Sequence, residues 1–120
     1  MAKILIIEDE PDMAKSLKML LEDSGHKAQI CLGGKEGLKA MRGFDLVLLD
    51  IIMPKMSGRE VLREMKARGI KTPVVVVSAV GVPQTVREEL ATLYPGTGFV
   101  SKAHIHEEIF KEINSALAKK

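Results

Sequence analysis

Leu46-Val47-Leu48-Leu49-Asp50 decides the reading: four apolar residues in a row, closed by a carboxylate. An unbroken apolar run of this length suits a central strand of a parallel sheet, covered by helices on both faces. Ile4-Leu5-Ile6-Ile7 repeats the design and stops at Glu8-Asp9, and Val74-Val75-Val76-Val77 stops at Ser78. Strands are therefore predicted near residues 3–8, 27–32, 44–50, 73–78 and 97–101. The second alternates Ala28, Ile30 and Leu32 with polar neighbours, and the fifth, around Phe99-Val100, is short; both have the character of edge strands.

Helical spacing fills the intervals. Met13, Leu17, Leu20 and Leu21 form a stripe after Pro11, which suits a first helical turn. Leu38 and Met41 mark a short helix expected to end at Gly43. Ser57 is placed to cap a helix carrying Val61, Leu62 and Met65, with Gly69 at its stop. Val86, Leu90 and Leu93 form a fourth stripe ahead of Pro95-Gly96, and Ile105, Ile109, Ile113 and Leu117 a fifth. Five strand–helix units in 120 residues predict one α/β domain spanning 1–120, a doubly wound (βα)5 flavodoxin-like fold. The second and fifth strands at the edges fit a parallel sheet in order 2-1-3-4-5. The first and third strands are then neighbours, and the crevice at their carboxyl ends is the topological switch point.

Composition narrows the function classes. A net charge of +2, with no basic stretch interleaved with aromatics, argues against direct nucleic-acid binding. Aromatics are only 3% of the chain, so Val, Ile, Leu and Met must fill the core. Cys31 is alone, which precludes an internal disulfide and suits a reducing cytoplasm; it reads as a small core or edge thiol. No segment approaches the ~18 continuous apolar residues of a membrane span. The first residues run straight into a strand rather than through the layout of an export signal, and Lys119-Lys120 suits the solvated end of a last helix. A cytoplasmic protein is expected.

The predicted order brings Glu8, Asp9 and Asp50 to one crevice. Three carboxylates repel one another unless a cation sits among them, and hard oxygen ligands favour Mg²⁺, with Mn²⁺ as a substitute. Ser78 ends the fourth strand at the same edge, and Lys102 ends the fifth. Phosphoryl transfer to a carboxylate explains each member, because that chemistry depends on positioning and charge neutralisation. Asp50 would be the nucleophile, Glu8 and Asp9 would hold the metal, and Lys102 and Ser78 would contact phosphoryl oxygens.

These residues resemble the receiver domain of two-component response regulators, over the whole chain. Ile6-Ile7-Glu8-Asp9-Glu10-Pro11 looks like the family's acidic pair, with Glu in place of Asp at the first position, a variant the family tolerates. Leu49-Asp50-Ile51-Ile52-Met53-Pro54 with Ser57-Gly58 resembles the phosphoacceptor motif, Ser78-Ala79 the Ser/Thr switch position, and Phe99 the rotating aromatic three residues before the lysine. The resemblance implies that Asp50 accepts a phosphoryl group from a histidine kinase or phosphotransfer protein, with the Ile52 carbonyl as a further metal ligand. It implies a signalling switch rather than an enzyme. The face of the fourth helix, fifth strand and fifth helix would then change its affinity for a downstream protein, as a monomer or a phosphorylation-dependent dimer, with movement expected near Gly81-Val82-Pro83. A phosphorylation-independent binding module of the same fold is the alternative.

Two departures matter. The family usually has proline after the lysine, joined by a cis bond; Ala103 predicts either a trans bond with a shifted loop or a cis bond held by metal and phosphate. The positions two after the acceptor and two after the switch residue, which help orient hydrolytic water in the family, are Ile52 and Val80. Both are apolar and branched, which predicts slow self-dephosphorylation. Other features carry less. His104 and His106 lack a third metal ligand, His26 stands by itself, Gly33-Gly34 is too little for a phosphate loop, and Met53 and Met56 read as gap fillers.

Overall fold

The computed structural model describes residues 1–79 and 82–118. Val80, Gly81, Lys119 and Lys120, on which parts of the sequence reading fall, lie outside the described residues. The described residues form β1 (Lys3–Ile7), α1 (Pro11–Asp23), β2 (Lys27–Cys31), α2 (Gly34–Ala40), β3 (Leu46–Asp50), α3 (Gly58–Ala67), β4 (Val74–Ser78), α4 (Gln84–Leu93), β5 (Gly98–Ser101) and α5 (Ile105–Ala118). A 3-10 turn over Lys102–His104 joins β5 to α5. The strands form one parallel sheet in the order β2-β1-β3-β4-β5.

Successive residues of a strand face opposite sides of the sheet, so each apolar run supplies two cores at once. Ile4, Ile6, Leu46, Leu48, Val75 and Val77 pack against Leu17 and Leu21 of α1 and Ile109 and Ile113 of α5. Leu5, Ile7, Val47, Leu49, Val74 and Val76 pack against Leu38 of α2, Val61, Leu62 and Met65 of α3, and Leu90 of α4. This is why the buried positions of β1, β3 and β4 ahead of their carboxyl ends are all apolar. Truncating a fully buried member such as Ile6 to Ala would cost about 2–5 kcal/mol.

The helix ends follow local chemistry. Pro11 opens α1, where its missing N–H costs nothing, and the Glu10 carboxylate accepts the Asp12 N–H at 2.7 Å. The Ser57 hydroxyl accepts the Glu60 N–H at 3.3 Å to cap α3. α2 stops at Ala40, earlier than the expected Gly43; that glycine, at φ +87°, instead turns the chain toward β3. Tyr94 follows α4, and its hydroxyl donates to the Thr72 carbonyl at 2.6 Å, with the Ile70 carbonyl at 3.1 Å, tying α4 to the entry of β4. Burial pushes the Tyr94 phenol up to about 12.

The β5 edge is blunted by α5. The Phe99 N–H donates to Glu112 and the Ser101 N–H to Glu108, both at 3.3 Å, so backbone donors that would face an open edge are satisfied by two carboxylates one helical turn apart. His26 is not isolated: its Nδ1 accepts the Ala2 N–H at 3.0 Å and its ring stacks on Phe110. No helix among the described residues is long and apolar enough to cross a membrane.

Candidate functional site

Parallel register sets the site. Ile7 pairs with Leu49 and Cys31, Leu49 with Val76, and Val76 with Phe99. The next step along each strand therefore aligns Glu8 and Asp50 at the centre, and one further step aligns Ser78 with Ser101. Glu8 keeps the β1–β2 pairing for one residue more by donating its N–H to the Cys31 carbonyl at 3.1 Å. That bond fixes where the Glu8 side chain leaves the sheet.

Carboxylate oxygens of Glu8, Asp9 and Asp50 lie within 4.8 Å of one another. Glu8 is 1% exposed and Asp50 6%, whereas Asp9 is half-buried at the mouth. Beyond Asp9 a groove of about 620 Å³ opens between Gly33-Gly34, Met53-Pro54 and Lys55. The Asp50 carboxylate accepts the Ile52 N–H at 3.3 Å, and Glu8 Oε2 accepts the Glu10 N–H at 3.2 Å. Lys102 Nζ sits 2.7 Å from Glu8 Oε1 and 3.9 Å from Asp50 Oδ2.

Gly58 lets this edge close. A Cβ there would fall 2.7 Å from Ile51 Cα and 2.8 Å from the Asp50 carbonyl oxygen. The glycine N–H instead donates to the Ile51 carbonyl at 3.0 Å, pressing the start of α3 onto the backbone that carries Asp50.

The crowding has an electrostatic signature. Asp50 is raised from the ordinary carboxylate range to about 7, first by burial, then by the adjacent Glu8 carboxyl through hydrogen bonding and its charge. Lys102 and the Ile52 N–H oppose the shift without cancelling it. Three converging hard oxygen donors suit a divalent cation of the Mg²⁺ kind. So does Glu8 Oε1, a buried atom that accepts no hydrogen bond of good geometry although the Lys102 ammonium is close.

Every described residue singled out for the chemistry reaches this end of the sheet. Ser78 is 3% exposed at the end of β4. Lys102 differs from expectation in one respect: β5 stops at Ser101, and Lys102 opens the 3-10 turn, whose Ala103 N–H donates to Ser101 Oγ at 3.2 Å. The Lys102–Ala103 bond is trans, the first of the two expected geometries. Ile52 is 69% exposed, its side chain outside the core, while Met53 is buried. Val80 lies outside the described residues. Phe99 is half-buried, with the Arg87 guanidinium 5.3 Å from its ring centroid. Sequence reasoning missed Arg87, whose spacing from Phe99 carries no signal. It also missed Glu108 and Glu112, although an i, i+4 acidic pair on a helix following an edge strand is a usable sign.

The family model of the response regulator receiver domain matches residues 4–114. The chain belongs to the response regulator receiver domain family. This receiver domain of two-component systems is 37% identical over 117 residues to the uncharacterized transcriptional regulatory protein YkoG of Bacillus subtilis, covering 95% of the chain and 50% of that protein. It is 32% identical over 120 residues to the response regulator ArlR of Staphylococcus saprophyticus, covering 98% of the chain and 53% of that protein. The receiver domain thus spans about half the length of these curated relatives. Among solved structures it is similar to the response regulator TrrA of Thermotoga maritima, crystallised in complex with Mg(2+)-BeF, at a TM-score of 0.81 and 27% identity over 97% of this chain and 99% of that one.

Proposed function

We propose that this receiver domain, as one unit over 1–120, accepts a phosphoryl group on Asp50 from the phosphohistidine of a sensor histidine kinase or phosphotransfer protein. Glu8, Asp9, Asp50 and the Ile52 carbonyl would hold Mg²⁺. The carrying observation is the convergence of three carboxylates within 4.8 Å, with Lys102 against them, at the carboxyl edge of the sheet. The Mg²⁺ complex of TrrA supports the choice of metal.

When bound, the metal supplies positive charge to the oxygens of the transferring group. The chain supplies the rest. An Asp50 carboxylate oxygen forms the new P–O bond while the P–N bond of the donor breaks, and the imidazole nitrogen keeps the electron pair. The Lys102 ammonium faces one phosphoryl oxygen, and the Ser78 hydroxyl donates to another. The domain acts as a switch and catalyses its own modification rather than turning over a substrate.

Phosphorylation draws Ser78 toward the phosphoryl group and lets Phe99 move inward, biasing a two-state equilibrium read out on the α4-β5-α5 face by a downstream protein or a second copy of the domain. The transcriptional names of the relatives support a regulatory output; this face, rather than direct contact with nucleic acid or membrane, is proposed as its route. A cytoplasmic setting alongside the kinase fits. The exposed Ile52 side chain shields the acceptor without orienting water, and Val80 is assigned the same role, so the phosphoryl group is long-lived. Its half-life after donor removal tests this: a lifetime of seconds that lengthens in Ile52→Ala would refute it.

Incubation with a small phosphodonor and Mg²⁺ tests the main reading. The intact chain should gain the mass of one phosphoryl group, and Asp50→Ala should abolish the gain. Retention of the gain in that variant would refute the assignment.

A further inference from the structure

Lys102 is paired unequally: its ammonium lies 2.7 Å from Glu8 Oε1 but 3.9 Å from Asp50 Oδ2. The Glu8 side chain is 2% exposed and that of Lys102 16%, so water screens the contact weakly. The two Glu8 oxygens have different occupations. Oε2 accepts the Glu10 N–H, whereas Oε1 meets only the ammonium, and without good hydrogen-bond geometry. Oε1 is therefore the oxygen left for a cation.

The length of Glu8 creates the preference. An aspartate here would be shorter by one carbon–carbon bond, about 1.5 Å. Its oxygen would stand roughly as far from Lys102 as Asp50 does, and the preference of the lysine for position 8 would be lost. The backbone of Lys102 is anchored on both sides, through the Ser101 N–H to Glu108 and the Ala103 N–H to Ser101 Oγ. Its flexible stem is what remains free to redirect the ammonium.

Resting on the metal-binding part of the proposed function, we propose that Lys102 is the resident cation of the carboxylate cluster, held there by Glu8 Oε1. It releases that oxygen when a divalent ion binds. Glu8 is then a positioning residue as well as a metal ligand: it withholds Lys102 from the phosphoryl position until the metal is in place. The order of events, metal first and lysine second, is a consequence of glutamate rather than aspartate at position 8.

Calorimetric titration with MgCl₂ alone, at fixed pH and ionic strength, tests this in a double-mutant cycle. In the wild-type background Lys102→Met should tighten Mg²⁺ binding about tenfold, because a competing charge at contact distance is gone. In the Glu8→Gln or Glu8→Asp background the same substitution should tighten it by no more than about threefold, since only the longer-range charge near Asp50 is removed. Equal gains in all backgrounds would mean that Lys102 acts by charge at a distance, and would overturn the proposal. A second readout uses the unaltered protein. The Lys102 Cε–Hε signal, assigned by its loss in Lys102→Met, should shift on adding Mg²⁺ with the calorimetric midpoint. A signal unmoved at saturation, or no Mg²⁺ binding, would overturn it too. Neither measurement uses a phosphodonor, so a failure of phosphorylation at Asp50 is read separately.

Discussion

Replacing Asp50 by asparagine should stabilise the metal-free domain, and only where the pH is high enough to ionise the native side chain. Asp50 is raised from 3.8 to about 7 by burial and by its neighbour Glu8. The folded state thus holds this proton more tightly than the unfolded chain. Between about pH 4 and pH 7 the folded protein keeps a proton the unfolded one has lost, so stability falls as pH rises through that window and stays reduced above it. Each unit corresponds to about 1.4 kcal/mol. The full shift corresponds to on the order of 4 kcal/mol above pH 7, a large share of the 5–15 kcal/mol that holds a domain folded. Asparagine removes the titration and offers Glu8 an amide donor.

Urea unfolding followed by circular dichroism, in chelator-treated buffer at pH 5, 6.5 and 8, measures the difference. Asp50→Asn should exceed wild type by about 4 kcal/mol at pH 8 and by less than half of that at pH 5. Saturating Mg²⁺ at pH 8 should close most of the gap, because it stabilises the wild-type cluster more than the variant. A stabilisation independent of pH, or a variant less stable at pH 8, would refute the reasoning, since either result means that charge crowding at Asp50 is not what the fold bears.

Three further outcomes follow from particular contacts. Gly58→Ala puts a Cβ 2.7 Å from Ile51 Cα, where backbone rather than a flexible side chain must yield; a loss of about 1–3 kcal/mol in unfolding free energy and weaker Mg²⁺ binding are expected. Tyr94→Phe removes the donor to the Thr72 carbonyl and should cost about 1–2 kcal/mol in urea unfolding while leaving the extent of Asp50 phosphorylation unchanged. Arg87→Ala removes the guanidinium from the Phe99 ring, a contact worth about 0.5–1 kcal/mol, and should shift the Phe99 ring signals toward their phosphorylated positions before any phosphodonor is added.

The fold was legible because its signals are local and repeated. Three short apolar runs rich in Ile, Leu and Val, each closed by a polar residue, suit central strands covered on both faces, and the alternation in Ala28, Ile30 and Leu32 marks an edge. The two edges fit the 2-1-3-4-5 order of a doubly wound sheet, and that order brings Glu8, Asp9 and Asp50 together. Ser57 and Gly69 were readable because capping is set by one or two residues. Boundaries such as the end of α2 were less so, since Ala40, Met41 and Arg42 differ little in helical preference and tertiary packing chooses among them.

What the sequence could not show is how side chains apportion themselves within the site. Nothing in the string says that Lys102 lies nearer Glu8 than Asp50, because that depends on the reach of two flexible side chains from different strands. The same holds for Arg87 over Phe99, and for Glu108 and Glu112 serving the β5 edge. These contacts act between elements whose relative placement emerges only after the cores have packed. On the function proposed above, they would govern how tightly a metal binds and how freely the switch moves. The residue types at the strand ends specify which reaction the domain can support. One methylene at position 8 and one guanidinium on α4 would then bear on when it happens and how far it is transmitted.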